Sequence, residues 1–139
     1  YALGRYSQGI SVARALAQGL GSKLKGALER VIELQPRHAD AHLALASFHA
    51  EVIDKVGALV GRMTYGVRAE TSLELFERGL ELHPQSAAGM MEYARAQLML
   101  HGEARMAEAT RLYEKAAALV PADARERLDV ELARAGLRD

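Results

Sequence analysis

The stretch SLELFERGLELHP, residues 72–84, occurs in three related copies along the chain. Seven and six residues before the proline of each copy stand a glutamate and a cation: Glu29-Arg30, Glu77-Arg78 and Glu114-Lys115. The positions twelve, eight, five and two residues before the proline are mostly apolar or small, and this spacing follows one face of a helix, with the charged pair opposite. The pattern predicts three amphipathic helices that end at the three prolines of the protein, Pro36, Pro84 and Pro121.

The composition of the 139 residues favours packed helices in a single domain of ordinary size. Half of the residues are hydrophobic but only 5% are aromatic, and alanine and leucine supply most of the apolar content. The formal net charge is zero, so no basic surface is expected for nucleic acid, and no apolar run approaches the length of a membrane span. The absence of cysteine excludes disulfides and thiolate metal sites.

Further helices are predicted before and between the repeated copies. A first helix covers residues 1–20, with Ser22 as the N-cap of the helix that follows. A third helix begins near Ala39 and runs to about Val56. Residues 57–70 contain three glycines and are predicted to be a helix end that continues into a loop, and the capping-box sequence TSLE at residues 71–74 predicts the start of the next helix.

The C-terminal part of the sequence has clear helix boundaries. Ser86 is predicted to cap a fifth helix that reaches Leu100 and ends at His101 and Gly102. The third repeated helix covers residues 106–119, and a capping box at residues 123–126 opens a last helix that reaches about residue 135. That last helix is polar on its outer side, as expected for the closing helix of a solenoid.

Helix pairs that recur at a period in the thirties, each closed by a proline, indicate an α-solenoid, and the pattern resembles the tetratricopeptide repeat. This family has a small-large-small set twelve, eight and five residues before the proline. The three copies place these residues there: Ala109, Tyr113 and Ala116; Ser72, Phe76 and Gly79; and Leu24, Leu28 and Val31. On the first helices Leu3-Gly4 and Leu45-Ala46 fit the family, whereas Tyr93-Ala94 and His42 depart from it.

The resemblance implies an all-α, right-handed superhelix of about three helix pairs and a capping helix in one domain, residues 1–139. The repeats would cover about 1–36, 37–84 and 85–121, with the capping helix at 122–136. The first two repeats are longer than the family pattern, which predicts lengthened first helices or loops, as in bacterial members.

For function, the resemblance implies a non-catalytic scaffold that binds a peptide or a partner protein in a concave groove lined by the first helix of each pair. Groove-facing positions carried over from the family are Tyr1, Arg5, Gln8, Leu43, Ser47, Ala50, Glu51, Met91, Arg95 and Leu98. Arginines at both ends with a carboxylate between them suit an extended peptide or its terminal carboxylate. The alternative is a small-molecule binding protein of the solute-transport-associated type, with a pocket near residues 57–70.

No enzyme, cofactor or metal is expected, although two clusters leave other chemistry open. His38, His42 and His49 lie on one helical face and could hold a metal, but we interpret them as packing residues because no carboxylate joins them at ligand spacing. Glu51 and Asp54 could act as an acid and a base, yet Lys55 at i+4 from Glu51 favours a surface ion pair.

The localisation is expected to be soluble, without membrane insertion. The sequence starts at Tyr1 rather than at a methionine, so we expect residues upstream of it. The compartment is the periplasm if those residues include a signal sequence, and otherwise the cytoplasm. Neither the partner nor the oligomeric state follows from the sequence.

Overall fold

The computed structural model describes residues 13–119, and every element of regular secondary structure in that range is helical. The all-α prediction is confirmed for this part of the chain. After a helical stretch at residues 13–17, the long helices are α1 (Gly21–Leu34), α2 (Ala39–Val56), α3 (Ala69–Leu82), α4 (Ala87–His101) and α5 (Met106–Ala117). The predicted helix over residues 1–12, the Pro121 turn and the capping helix lie outside the described residues.

The helices α1 and α3 end in the same way, as the repeat predicts. The residue after α1 has φ −136° and ψ 77°, and the residue after α3 has φ −137° and ψ 78°. These residues, Gln35 and His83, directly precede Pro36 and Pro84, and a proline disfavours helical geometry in the residue before it. The predicted helix ends at these two prolines are therefore confirmed.

The turns that follow are also equivalent, and each ends in a side-chain cap. His38 before α2 has φ −79° and ψ 96°, and Ser86 before α4 has φ −78° and ψ 100°. The Nδ1 atom of His38 accepts from the N–H of Ala41 at 3.0 Å, and the hydroxyl of Ser86 accepts from the N–H of Gly89 at 2.9 Å. The predicted capping by Ser86 is confirmed, and His38 performs the same function one repeat earlier.

Two predicted helix starts are wrong. The helix α1 begins at Gly21 with Leu20 as its N-cap, so Ser22 lies inside it. The helix α3 begins at Ala69 rather than near residue 71, and its N-cap residue Arg68 makes no side-chain cap hydrogen bond. Ser72 is instead fully buried, and its hydroxyl donates to the carbonyl of Ala46 in α2 at 2.7 Å.

The connection between α2 and α3 is mostly helical, so the loop predicted within residues 57–70 is limited to Gly57 and residues 66–68. A helical turn, Ala58–Val60, leads into a π-helix, Gly61–Tyr65, before the chain reverses at Gly66 with a φ of +69°. The Cβ of any other residue at Gly61 would lie 2.9 Å from Cγ2 of Val67, which is fully buried. A side chain at Gly61 would therefore clash with Val67, a close approach that the three glycines in this segment did not reveal.

The first helices of the predicted pairs, α2 and α4, lie at the centre of the packing. The helix α2 packs on α1, α3 and α4, while α4 packs on α2, α3 and α5. Leu43 of α2 lies in the main core beside Phe76 of α3 and Tyr93 of α4, whose rings stack with centroids 5.2 Å apart. Phe76 is fully buried, as its repeat position predicts, whereas Tyr113 at the same position of α5 is only partly buried.

Small residues allow close approach around Leu43. A Cβ at Gly79 of α3 would lie 2.6 Å from Cδ2 of Leu43, and a Cβ at Gly89 of α4 would lie 3.0 Å from its Cδ1. The leucine side chain therefore fills the space that two glycines leave on neighbouring helices. This packing explains why a small residue stands five positions before Pro84.

None of the helices between residues 13 and 119 has both the length and the hydropathy needed to cross a bilayer.

Candidate functional site

The predicted groove positions fall into three groups in the structure. Tyr1, Arg5 and Gln8 lie outside the described residues. Ser47, Glu51 and Arg95 lie on one shared face of α2 and α4, where these two helices lie side by side. The remaining predicted positions on α2 and α4 are Leu43 and Ala50, which are buried, and Met91 and Leu98, which are partly exposed.

The shared surface, which we call the polar face, consists of Ser47, Glu51 and Lys55 on α2 and of Glu92 and Arg95 on α4. Arg95 donates from Nη2 to Oε1 of Glu51 at 2.9 Å, and Nζ of Lys55 lies 3.7 Å from the other oxygen of the same carboxylate. About one turn away, the hydroxyl of Ser47 donates to Oε2 of Glu92 at 3.2 Å. Two polar contacts, Arg95 with Glu51 and Ser47 with Glu92, therefore connect α2 and α4.

The ion pair between Glu51 and Arg95 is covered on one side and open on the other. The Glu51 side chain is 8% exposed, whereas the Arg95 side chain is 50% exposed. Arginine has five N–H donors, and the bond to Glu51 uses one of them. The pair therefore holds a half-exposed guanidinium in place with donors that remain available at the surface.

The depression at the polar face is too small for an organic ligand. It has a volume of about 10 Å³, which is enough for about one water molecule. Besides the polar residues it is lined by Ala50, Phe76, Ala96 and Met99. The polar face is therefore a surface that an extended chain could contact, and it encloses no small-molecule pocket.

Some predicted groove residues have a different role. Leu43 is 1% exposed and belongs to the core between α2, α3 and α4, so it is not at a groove surface. Ala50 is buried in the same cluster, although it also lines the depression at the polar face. Met91 is partly exposed and packs toward Ala116 of α5, and Leu98 is also partly exposed. Leu43 has a core role rather than the predicted groove role, because its side chain packs against Gly79 of α3 and Gly89 of α4.

Sequence reasoning missed Glu92. The resemblance does not place a groove residue at this position, and its partner Ser47 is 45 residues away. The one local sign was its spacing of three residues from Arg95, which puts both side chains on one face of α4.

The three histidines that could have formed a metal site have separate structural roles. His38 caps α2, and Nδ1 of His42 lies 2.8 Å from the carbonyl oxygen of His38. His49 is buried, and its Nδ1 accepts from the backbone N–H of Arg68 at 3.1 Å. Within residues 13–119, no group of three His, Cys, Asp or Glu side chains is arranged to hold a metal ion.

Burial controls the protonation of His49 and of two tyrosines. Burial, together with the charge of Lys25, lowers the pKa of His49 to about 4. Burial also raises the pKa of Tyr93 to about 12, with the carboxylate of Glu77 acting in the same direction, and it raises the pKa of Tyr113. Tyr93 donates to Glu77 at 3.3 Å. These groups all keep their neutral forms at physiological pH.

The candidate acid and base found in the sequence form ion pairs instead. Nζ of Lys55 lies 3.7 Å from Glu51 and 3.8 Å from Asp54. Glu51 is further held by Arg95, so its carboxylate is engaged on both oxygens. The arrangement is a charge network between helices, and nothing in its geometry provides a nucleophile.

A second concave region lies at the 57–70 segment, where the alternative small-molecule reading placed a pocket. Its volume is about 330 Å³. It lies between the end of α2, the helical connection and the start of α3, and it is lined by Ile53, Ala58, Leu59, Arg62, Val67, Arg68, Ala69 and Glu70.

The sequence matches no family model, and no curated protein is significantly similar to it.

Proposed function

We propose that the protein is a non-catalytic scaffold of tetratricopeptide-like helix pairs, which binds a peptide segment of a partner protein across the polar face of α2 and α4. Support for this repeat comes from the equivalent helix ends before Pro36 and Pro84 and from the equivalent caps at His38 and Ser86. The small residues Ser72 and Gly79 also stand where α3 packs closely on α2. In this proposal the pairs coil as a right-handed superhelix, and the first helices line its concave side.

The observation that carries the proposal is the half-exposed Arg95 held by the covered Glu51. An arginine that is already positioned loses little side-chain freedom when it donates to a bound chain. Its remaining N–H donors can reach a backbone carbonyl or a carboxylate of a peptide. Glu92 beside it can accept from a peptide N–H, since Ser47 occupies only one of its oxygens.

Apolar contacts next to these groups would add to the affinity. Met99 lines the depression beside Arg95 and is partly exposed. Methionine is flexible and polarisable, so it adapts to apolar side chains of different shapes. An extended peptide with an apolar side chain flanked by backbone hydrogen bonds fits this surface.

The test compares partner capture by wild-type protein and by two matched variants. Removal of Arg95 alone would leave the covered carboxylate of Glu51 with Lys55 only, so Arg95→Ala is expected to cost about 1–2 kcal/mol of stability. The double variant Glu51→Gln, Arg95→Gln removes both charges while keeping polar side chains. Its capture of peptides from a lysate of the native host should fall by about tenfold or more, as expected for loss of a charge-assisted bond.

The control is Arg78→Ala on α3, where the arginine pairs with the exposed Glu81 at 3.3 Å. An exposed pair of this kind contributes about 0–1 kcal/mol, so folding and capture should both stay near wild type. Equal capture by the double variant and by wild type would contradict the proposal, and so would an equal loss in the control.

A further inference from the structure

We propose that the cavity at the 57–70 segment binds a small carboxylate that carries an apolar chain. This site is independent of the proposed peptide-binding function, because it shares no lining residue with the polar face.

The size of the cavity suits a small organic ligand. A volume of about 330 Å³ lies within the range of about 300–1,000 Å³ that is common for ligand sites. Since a water molecule occupies about 30 Å³ in the liquid, the cavity has room for a ligand of about ten non-hydrogen atoms.

The inner wall of the cavity is apolar. Ile53 of α2 and Val67 of the connection belong to the same hydrophobic cluster, and Val67 is fully buried beneath the cavity. At the mouth, the Leu59 side chain is 70% exposed, which is unusual for a large apolar residue that lines a concave region. An apolar chain in the cavity would cover Leu59 and contact Ile53, which is partly exposed.

The charges of the lining favour an anion. Arg62 and Arg68 both line the cavity, and neither guanidinium forms an ion pair or a hydrogen bond with any residue from 13 to 119. Glu70 is the one carboxylate of this lining, so the three charged groups sum to +1 and a monoanion balances them. A guanidinium presents parallel N–H groups that match the two oxygens of a carboxylate.

The backbone that carries the two arginines is well ordered by its own hydrogen bonds. The carbonyl of Arg62 accepts from the N–H of Gly66 at 3.1 Å, and the N–H of Arg68 donates to buried His49 at 3.1 Å. The N–H of Val67 donates to the carbonyl of Gly61 at 3.2 Å. The cavity is therefore preformed, and a ligand need order only the two arginine side chains.

The start of α3 adds to the attraction for a negative group. Ala69 and Glu70, in the first turn of this 14-residue helix, line the cavity, and no side chain caps the free N–H groups there. Free N–H groups at a helix start carry a partial positive charge. The partial charge at the start of α3 is a secondary contribution to anion binding, and the main contributions come from the cavity and from Arg62 and Arg68.

The test is a calorimetric titration of the protein with octanoate and with 1-octanol, which share the apolar chain but differ in charge. We expect saturable binding of octanoate and at least tenfold weaker binding of octanol. Arg62→Ala and Arg68→Ala should each weaken octanoate binding by about tenfold, as expected for loss of a hydrogen bond to a charged group, and should leave octanol unchanged. The control Arg78→Ala, on the exposed side of α3, should bind octanoate as wild type does.

Three results would overturn the proposal: equal affinity for octanoate and octanol, no saturable binding of octanoate, or equal weakening by Arg78→Ala. A second kind of variant tests the location without removing a charge. Ala58→Leu adds bulk at an exposed lining position, and it should weaken the binding of octanoate and octanol together. The double variant at Glu51 and Arg95 should bind octanoate normally, so failure of this site and failure of the peptide-binding face give different results.

Discussion

Substitution of Gly79 by alanine tests the packing at the centre of the fold. In a helix interior, alanine is favoured over glycine by about 1 kcal/mol, so the change would stabilise an open site. At Gly79, however, the new Cβ would lie 2.6 Å from Cδ2 and 2.7 Å from Cγ of Leu43. Leu43 cannot retreat freely, because its side chain is 1% exposed and is packed in the core between α2, α3 and α4.

The matched control is Gly26 in α1, where a Cβ would have no neighbouring atom within 4 Å. Both substitutions gain the same helix propensity, so the difference between their free energies of unfolding isolates the steric cost. Overpacking a core costs about 1–3 kcal/mol. We therefore expect Gly26→Ala to raise the free energy of unfolding by about 1 kcal/mol. Relative to its own wild-type value, the change for Gly79→Ala should be about 1–3 kcal/mol less favourable than the change for Gly26→Ala.

Urea denaturation followed by circular dichroism measures both values. A double variant completes the test, since Leu43→Ala removes the atoms that clash. Alone it should cost about 2–5 kcal/mol, but in the Gly79→Ala background the cost should be smaller by about 1–3 kcal/mol, because the added methyl no longer clashes. Equal stabilisation by the two glycine substitutions, or strictly additive effects in the double variant, would refute the packing of Leu43 between the two glycines.

Three further predictions concern buried side chains. The folded pKa of His49, about 4, lies below the value of about 6.5 in an unfolded chain, so the free energy of unfolding should fall as the pH drops from 6.5 to 4. His49→Gln should remove about 1–3 kcal/mol of that fall, as measured by thermal melts across this pH range. An unchanged pH profile in the variant would contradict this prediction. The Gln97 amide is fully buried without a hydrogen-bond partner among residues 13–119. Gln97→Met should therefore raise the urea midpoint by the equivalent of about 1–2 kcal/mol. A lower midpoint would show that the amide stabilises the fold. Phe76→Ala should cost about 3–5 kcal/mol because it empties the site stacked on Tyr93, and a melting temperature near wild type would refute its role in the core.

The sequence by itself determined the helix ends and the caps that depend on neighbouring residues. The ends of α1 and α3 were predictable because proline acts on the residue directly before it. Capping by Ser86 was predictable because its hydroxyl reaches an N–H only three residues away. The burial of Phe76 followed from its position in the repeat, since helical periodicity places it on the apolar face.

Only the tertiary structure decided the roles of residues whose partners are distant in the sequence. Ser72 had the spacing of a capping box, but the approach of α2 buries it and turns its hydroxyl to Ala46. Most of the expected loop at residues 57–70 is a helical connection, and Val67 packs into the same buried cluster as Val52 of α2. Glu51 and Arg95 are 44 residues apart, and they meet because α2 and α4 pack against each other. Periodicity assigns a residue to a face of its helix, whereas the packing of helices decides what that face meets.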